Sequence, residues 1–297
     1  GQPVPFAKLL ERVHEVDGID RIRFVTSYPA DWDEDIFRVM RDYPKVMPYL
    51  HIPAQSGSDA VLKRMRRGYT ADTYLRLMDT ARKYVPHISL AGDFIVGFCG
   101  ETDAEFAASV DLVRRVDYKS LYIFKYSPRP GTTADRNQQD DVPTEVKQAR
   151  NQELLAVQSE ISQRHRRTFI GQSVRVLVEG FSKLHGKPSA AKIATMAAGD
   201  WSQESEQDRG SEVSREATGQ LVGRTPGDLI AVFDAPQSYV GAIVDVYIEG
   251  ATALTLYGRV TSVVSPPRAA SVPQRKDAAT VVKPGVTALP IVGAGCE

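Results

Sequence analysis

An α/β fold with a parallel sheet, followed by a small antiparallel β-barrel, is predicted from a change of period along the chain. Up to about residue 140, short apolar runs alternate with amphipathic stretches, which is the pattern of repeated βα units. From Ser173 the period becomes two, with SVRVLVEG, DLIAVFDA, AIVDVYIEG and TLYGRV punctuated by glycine and proline, as in a small closed sheet. With 297 residues and 42% hydrophobic content, the chain can build one larger and one smaller core.

Four strands stand out in the first part: residues 21–27 (RIRFVTS), 49–53 (YLHIP), 89–98 (SLAGDFIVGF) and 120–127 (SLYIFKYS). Helices fill the gaps. Between residues 101 and 116, Phe106, Val110 and Val113 recur at helical spacing, and Thr102 with Glu105 forms a capping box. Residues 70–84 place Tyr74, Leu75 and Met78 on one face, with Pro86 as a stop. A longer helix, residues 144–169, follows Pro143, carries Leu154, Leu155 and Ile161, and ends in Arg164, His165, Arg166 and Arg167. It links the two parts. Residues 185–218, rich in Ser, Glu, Gln and Ala, read as a disordered insertion. Beyond Val264 no period is sustained, so the domains predicted are 1–170, 171–264 and an unstructured tail, 265–297.

Lys plus Arg equals Asp plus Glu at 37 each, so no whole-molecule field draws in nucleic acid, and RNA contact needs local patches. No run approaches the roughly 20 apolar residues of a membrane span, and the start lacks a signal peptide's pattern. A cytoplasmic protein without a membrane partner is expected. The cysteines are Cys99 and Cys296, which argues against a disulfide framework and cannot supply the thiolates of an iron-sulfur cluster. Gly1 opens directly into a helix-like segment, and the chain reads as a fragment.

In parallel α/β architectures active sites form at the carboxyl ends of the strands. Those ends carry Thr26 and Ser27; Gln55, Ser56 and Ser58; Gly97, Gly100 and Glu101; and Ser127, Arg129 and Thr132. Serines and glycines there also make turns, and Ser58 suits the cap of the next helix. Gln55 and Arg129 have no turn-forming excuse, and Arg129 could clamp a carboxylate or phosphate. Glu101 reads equally as a site residue or as a partner of a helix dipole. His51, inside an apolar strand, reads as a hydrogen-bonded core histidine. Four strands cannot close a barrel of about eight, so further strands are expected N-terminally or from another chain.

HIPAQSGSDAVLKRMRRGYT, DFIVGFCGET and YSPRPGTTA, in this order and spacing, resemble the methylthiotransferase branch of the radical-SAM superfamily over residues 5–180. The segments VEGFSK, QLVGRTPGDLIAVFDAP and GAIVDVYIEG resemble the OB-like TRAM domain, an RNA-binding barrel. The resemblance implies a partial (β/α) barrel, here lacking its first strands. It also implies S-adenosylmethionine and [4Fe-4S] clusters, with tRNA and an electron donor as partners of a monomeric protein. The family's Cys-x3-Cys-x2-Cys ligands match no position here, so no metal ligand and no catalytic residue is assigned. Gln55, Ser56, Ser58, Asp93, Gly97, Glu101 and Arg129 fall on the family's motifs and are assigned jointly to the cofactor cavity. Where the family has Pro, Cys99 reads as a small buried residue.

Pro53 and the pair Gln55-Ser56 resemble the branch that modifies isopentenyl-type adenosine beside the anticodon. Threonylcarbamoyl adenosine and a ribosomal protein are the alternative substrates. RNA contact is assigned to Lys63, Arg64, Arg66 and Arg67, to Arg164, Arg166 and Arg167, and to Lys183 and Arg224. The expected function is that of a tRNA methylthiotransferase whose C-terminal portion this is, inactive by itself. A stand-alone RNA-binding module and a degenerate pseudo-enzyme are the alternatives.

Overall fold

Three of the four expected strands form one parallel sheet. In the computed structural model, which describes residues 4–25, 28, 29, 32–182 and 218–267, they are β1 (Tyr49–His51), β2 (Ser89–Val96) and β3 (Ser120–Lys125), hydrogen-bonded in that order. The register pairs His51 with Ala91, Asp93 with Tyr122 and Ile95 with Phe124. Because side chains alternate across a strand, these residues share one face, while Leu50, Leu90, Phe94 and Val96 turn to the other and are buried. Helices pack their apolar residues into the core on that second face, while the short one at residues 133–137 borders the open face. They are α1 (Phe6–His14), α2 (Glu34–Asp42), α3 (Asp59–Arg64), α4 (Ala71–Tyr84), α5 (Asp103–Val116), α6 (Thr133–Asn137) and α7 (Thr144–Arg167). The first face stays open, with Tyr122 56% and Phe124 53% exposed.

Residues 21–25, the described part of the predicted first strand, form no strand. Ile22 alone bridges Val46, donating to Lys45 O at 2.6 Å and accepting from Met47 N–H at 2.9 Å. The available partner is the loop before β1, and Arg23 instead stacks over the Tyr49 ring at 4.6 Å. Thr26 and Ser27 lie outside the described residues.

Helix starts follow their caps. Thr70 accepts from Thr73 N–H, Ser58 from Val61 N–H, and Thr102 with Glu105 closes both halves of a capping box. The turn before α3 passes so close to α5 that a Cβ on Gly57 would stand 2.6 Å from Ser109 Cα. Gly57→Ala is therefore expected to lower stability by roughly 1–3 kcal/mol, measured by denaturant unfolding; an unchanged midpoint would contradict this packing.

The second unit is a closed barrel in the order β4 (Ser173–Phe181), β5 (Thr218–Arg224), β6 (Ile230–Pro236), β8 (Thr255–Ser265) and β7 (Ile243–Ala251). Val176, Leu221, Phe233, Val246, Ile248 and Leu256 fill it. It is not wholly antiparallel: β6 and β8 pair in parallel. Strand β7 crosses to lie against β4, and its hairpin partner β8 returns beside β6 to close the cylinder. The insertion expected at 185–218 and the tail expected at 265–297 lie outside the described residues, apart from Thr218, which opens β5, Ser265, which ends β8, and the two prolines after it.

The two units meet through charge. Asp228, in the turn between β5 and β6, is 8% exposed and accepts from Arg23, from Lys119 Nζ at 2.9 Å and from Arg224 at 2.8 Å. Arg21 donates to Arg224 O at 2.7 Å. Lys119 also lies over the Tyr49 ring, 4.9 Å from its centroid.

Candidate active site

At the carboxyl ends of β2 and β3 lies a cavity of about 520 Å³ whose wall includes Gln55, Asp93, Ile95, Phe98, Arg67 and Arg129. Gln55 extends the sheet by one bridge to Phe94. Its N–H donates to Asp93 O at 2.8 Å and its carbonyl accepts from Ile95 N–H at 2.9 Å. These bonds hold Gln55 at φ 69, left-handed for a residue with a Cβ, at a cost of roughly 1–2 kcal/mol. Such outliers concentrate at ligand sites.

Asp93 Oδ1 lies 2.9 Å from His51 Nε2, and the His51 ring lies 5.8 Å from Tyr122. His51 is hydrogen-bonded, yet it belongs to the open face and not to the core. The second oxygen of Asp93 makes no hydrogen bond among the described residues. Ile95 and Phe98 supply an apolar wall, and Tyr126, also on the wall, has its hydroxyl pushed up to about 12, first by burial and then by the Cys99 thiol. Cys99 is buried beside Val61 and Phe98.

The seven residues assigned jointly to this wall divide into two groups. Gln55, Asp93 and Arg129 line it. Ser56, Ser58, Gly97 and Glu101 stand behind it and shape its loops. Ser56 Oγ lies 3.2 Å from Ser109 Oγ, and Ser58 caps α3. Gly97, at φ 70, donates its N–H to Glu101 Oε2 at 2.6 Å, and the stem of Lys147 occupies the space a Cβ would need. Glu101 is fully buried and paired with Arg150 at 2.9 Å. Burial pushes its carboxyl above the usual range, partly offset by the Gly97 N–H and Arg150.

The basic residues divide in the same way. Lys63 and Arg66 are exposed. Arg64 is committed to Glu105 at 3.0 and 2.9 Å and to the carbonyls of Cys99 and Gly100. Arg67 turns into the cavity. Arg166 is 4% exposed, because four consecutive helical residues span a full turn and one must face inward. Arg164 and His165 are paired with Asp117, while Arg167 is exposed. Arg224 holds Asp228 and Glu179, and Lys183 lies outside the described residues. Neither basic run is thus a continuous phosphate-facing patch. The wall residues Phe98, Phe124, Lys125 and Tyr126 were not singled out in the sequence, although Tyr122, Phe124 and Tyr126 share the period of two.

Residues 3–113 match the profile of the Radical SAM superfamily. The similarity to that superfamily lies in this first part of the chain. It is 46% identical over 258 residues to the tRNA-2-methylthio-N(6)-dimethylallyladenosine synthase of Rhodopirellula baltica, covering 86% of this chain and 49% of the relative. The synthases so named of Syntrophotalea carbinolica (40% over 243 residues; 82% and 48%) and Acetivibrio thermocellus (36% over 260 residues; 88% and 47%) are also similar. The chain spans about half the length of the curated relatives it matches.

A four-iron cluster does not fit the residues of this chain. Its two cysteines are Cys99, buried and free, and Cys296 near the terminus, and no group of three His, Cys, Asp or Glu is placed to hold a metal among the described residues. No helix among them is long and apolar enough to cross a membrane.

Proposed function

We propose that this chain is the part of a tRNA methylthiotransferase that holds S-adenosylmethionine and presents the RNA, with isopentenyl-type adenosine beside the anticodon as the target. The observation that carries this reading is the 46% identity to a synthase so named, which runs through 86% of this chain. The joint in this reading is α7: residues 1–170 are the later part of a partial (β/α) barrel and 171–264 an RNA-binding TRAM barrel.

The cavity suits the cofactor's chemistry. Asp93 offers a carboxylate oxygen to an ammonium or ribose hydroxyl, Gln55 an amide, and Ile95 with Phe98 an apolar surface for an adenine ring. S-adenosylmethionine, when bound, supplies the family's radical and methyl chemistry. The residues of this chain orient it: His51 fixes one oxygen of Asp93, and the Gln55 bridge fixes the loop that carries the amide.

Binding of this chain to hairpin RNA carrying isopentenyl adenosine, against the unmodified hairpin at equal salt, tests the reading. Each buried CH₂ contributes about 0.8 kcal/mol, so preference for the modified RNA by about tenfold or more is expected. Equal affinity would favour the second reading, a stand-alone RNA-binding module.

A further inference from the structure

The cavity lies at the carboxyl end of the sheet, and the second unit meets the amino end. The turn between β5 and β6 seats Gly227 so close that a Cβ on it would stand 2.4 Å from Ser89 Oγ, and Ser89 pairs with Tyr49 where β1 and β2 begin. The next residue, Asp228, takes left-handed backbone at φ 62, a conformation that a residue with a Cβ keeps only where its surroundings enforce it. Its carboxylate gathers Arg23, Lys119 and Arg224. Two of these cations, Arg23 at 4.6 Å and Lys119 at 4.9 Å, lie over one ring, that of Tyr49.

From Tyr49 the contacts continue along the sheet towards the cavity. Tyr49 and His51 are two residues apart on β1 and share a face. Burial pushes the Tyr49 hydroxyl up; Asp228 and, less strongly, Tyr122 add to the rise, against Arg23. One phenol thus feels both the clasp and β3. Tyr122 stands opposite Asp93 in register, and its ring lies 5.8 Å from that of His51. His51 Nε2 is 2.9 Å from Asp93 Oδ1, and Asp93 is the carboxylate of the cavity wall. Without Asp228, the two cations over Tyr49 lose their common anion and repel each other, and the ring between clasp and His51 loses its fixed position.

We propose that Asp228 is a positioning residue for the cavity: by holding Arg23 and Lys119 against Tyr49 it fixes, through Tyr122 and His51, where Asp93 presents its carboxylate. This deepens the function proposed above and rests on it. Cofactor affinity then depends on the seating of the second unit, and by linkage a bound cofactor tightens the joint by the same factor.

Titration of S-adenosylhomocysteine into wild type, Asp228→Asn, Tyr49→Leu and the double variant, each first shown to be folded by its melting transition, tests this. Asp228→Asn is expected to weaken binding about tenfold, within the range found for residues that touch no ligand. Tyr49→Leu is expected to cost a similar factor, and the double variant no more than the larger single loss, because coupled residues are not additive. The His51 ring signal in a nitrogen-15 spectrum, assigned with His51→Asn, is expected to move in Asp228→Asn. If Asp228→Asn does not fold, Arg23→Gln, which keeps the Lys119–Asp228 pair, takes its place with a loss of about threefold. If Asp228→Asn lowers the unfolding free energy and leaves both affinity and the His51 signal unchanged, Asp228 only joins the units; the proposal is overturned and the functional reading stands. Losses that multiply in the double variant would overturn it as well, since the two residues would then act separately. Failure of wild type to bind S-adenosylhomocysteine would overturn the functional reading itself, and this proposal with it.

Discussion

Asp228→Ala is expected to destabilise the protein by about 3–5 kcal/mol and to separate the unfolding of the two units. Among the described residues this carboxylate is the only anion paired with Lys119, whose side chain is 9% exposed, so removing it leaves a buried ammonium facing Arg224 and Arg23. Losing one partner of a buried pair costs far more than losing both. The double variant Asp228→Ala with Lys119→Met is therefore expected to recover much of the loss. Denaturant unfolding followed by probes in each unit checks both statements. A loss below about 1 kcal/mol, the scale of an exposed pair, would mean that the clasp is solvated.

The clasp also sets a pH dependence. Burial lowers Lys119 from 10.5 to about 8, against the opposing pull of Asp228. Between about pH 8 and 10.5 the unfolded chain then holds a proton the folded chain has released, so stability gained above this window is lost as pH falls through about 8. Tyrosines act in the opposite sense. Burial raises Tyr69 from 10.0 to about 12 and raises Tyr74 and Tyr118 as well, so their contribution is full below pH 10 and is lost above it. A shallow rise in stability from pH 8 towards 10, then a fall, is expected, and Lys119→Met should remove the rise.

Arg150→Ala is expected to cost a similar 3–5 kcal/mol and to weaken cofactor binding as well. Its guanidinium is 7% exposed and holds the carboxylate and carbonyl of Glu101, both at 2.9 Å. Without it, Glu101 is a fully buried carboxylate supported by the Gly97 N–H, and the loop that follows β2 loses its tie to α7. Glu101→Gln, which keeps an acceptor for Gly97, is expected to cost less. Unfolding free energies and S-adenosylhomocysteine affinity of both variants separate a lost charge from a lost loop. A cavity unaffected in Arg150→Ala would show that Glu101 does not shape it.

Local signals were the legible part of the fold. Thr102 with Glu105 announces α5, Thr70 announces α4, and the apolar alternation of DFIVGF announces β2, because each depends on residues within one or two turns. Contacts far apart in sequence were not legible. Asp228 meets residues 205 and 109 positions away, and nothing in TPGDL distinguishes that carboxylate from an ordinary turn former. Strand polarity in the barrel failed for the same reason, since the parallel pairing of β6 with β8 follows from closure rather than from either strand's composition. Within the site, motif membership could not tell the wall from its backing. Gln55 and Glu101 lie at equivalent strand ends, but Arg150, from a helix begun some forty residues later, draws only Glu101 inward.

The most direct measurement concerns the activity itself. The corresponding portion of the Rhodopirellula baltica synthase would be replaced by this chain, the chimera loaded with iron, sulfide and S-adenosylmethionine without oxygen, and tRNA bearing isopentenyl adenosine supplied. Nucleosides from the digested tRNA would then be analysed by mass spectrometry. The expected result is the 2-methylthio form of that nucleoside, lost when Asp93→Ala is introduced. A folded, cofactor-loaded chimera that binds the tRNA and leaves it unmodified would contradict the account.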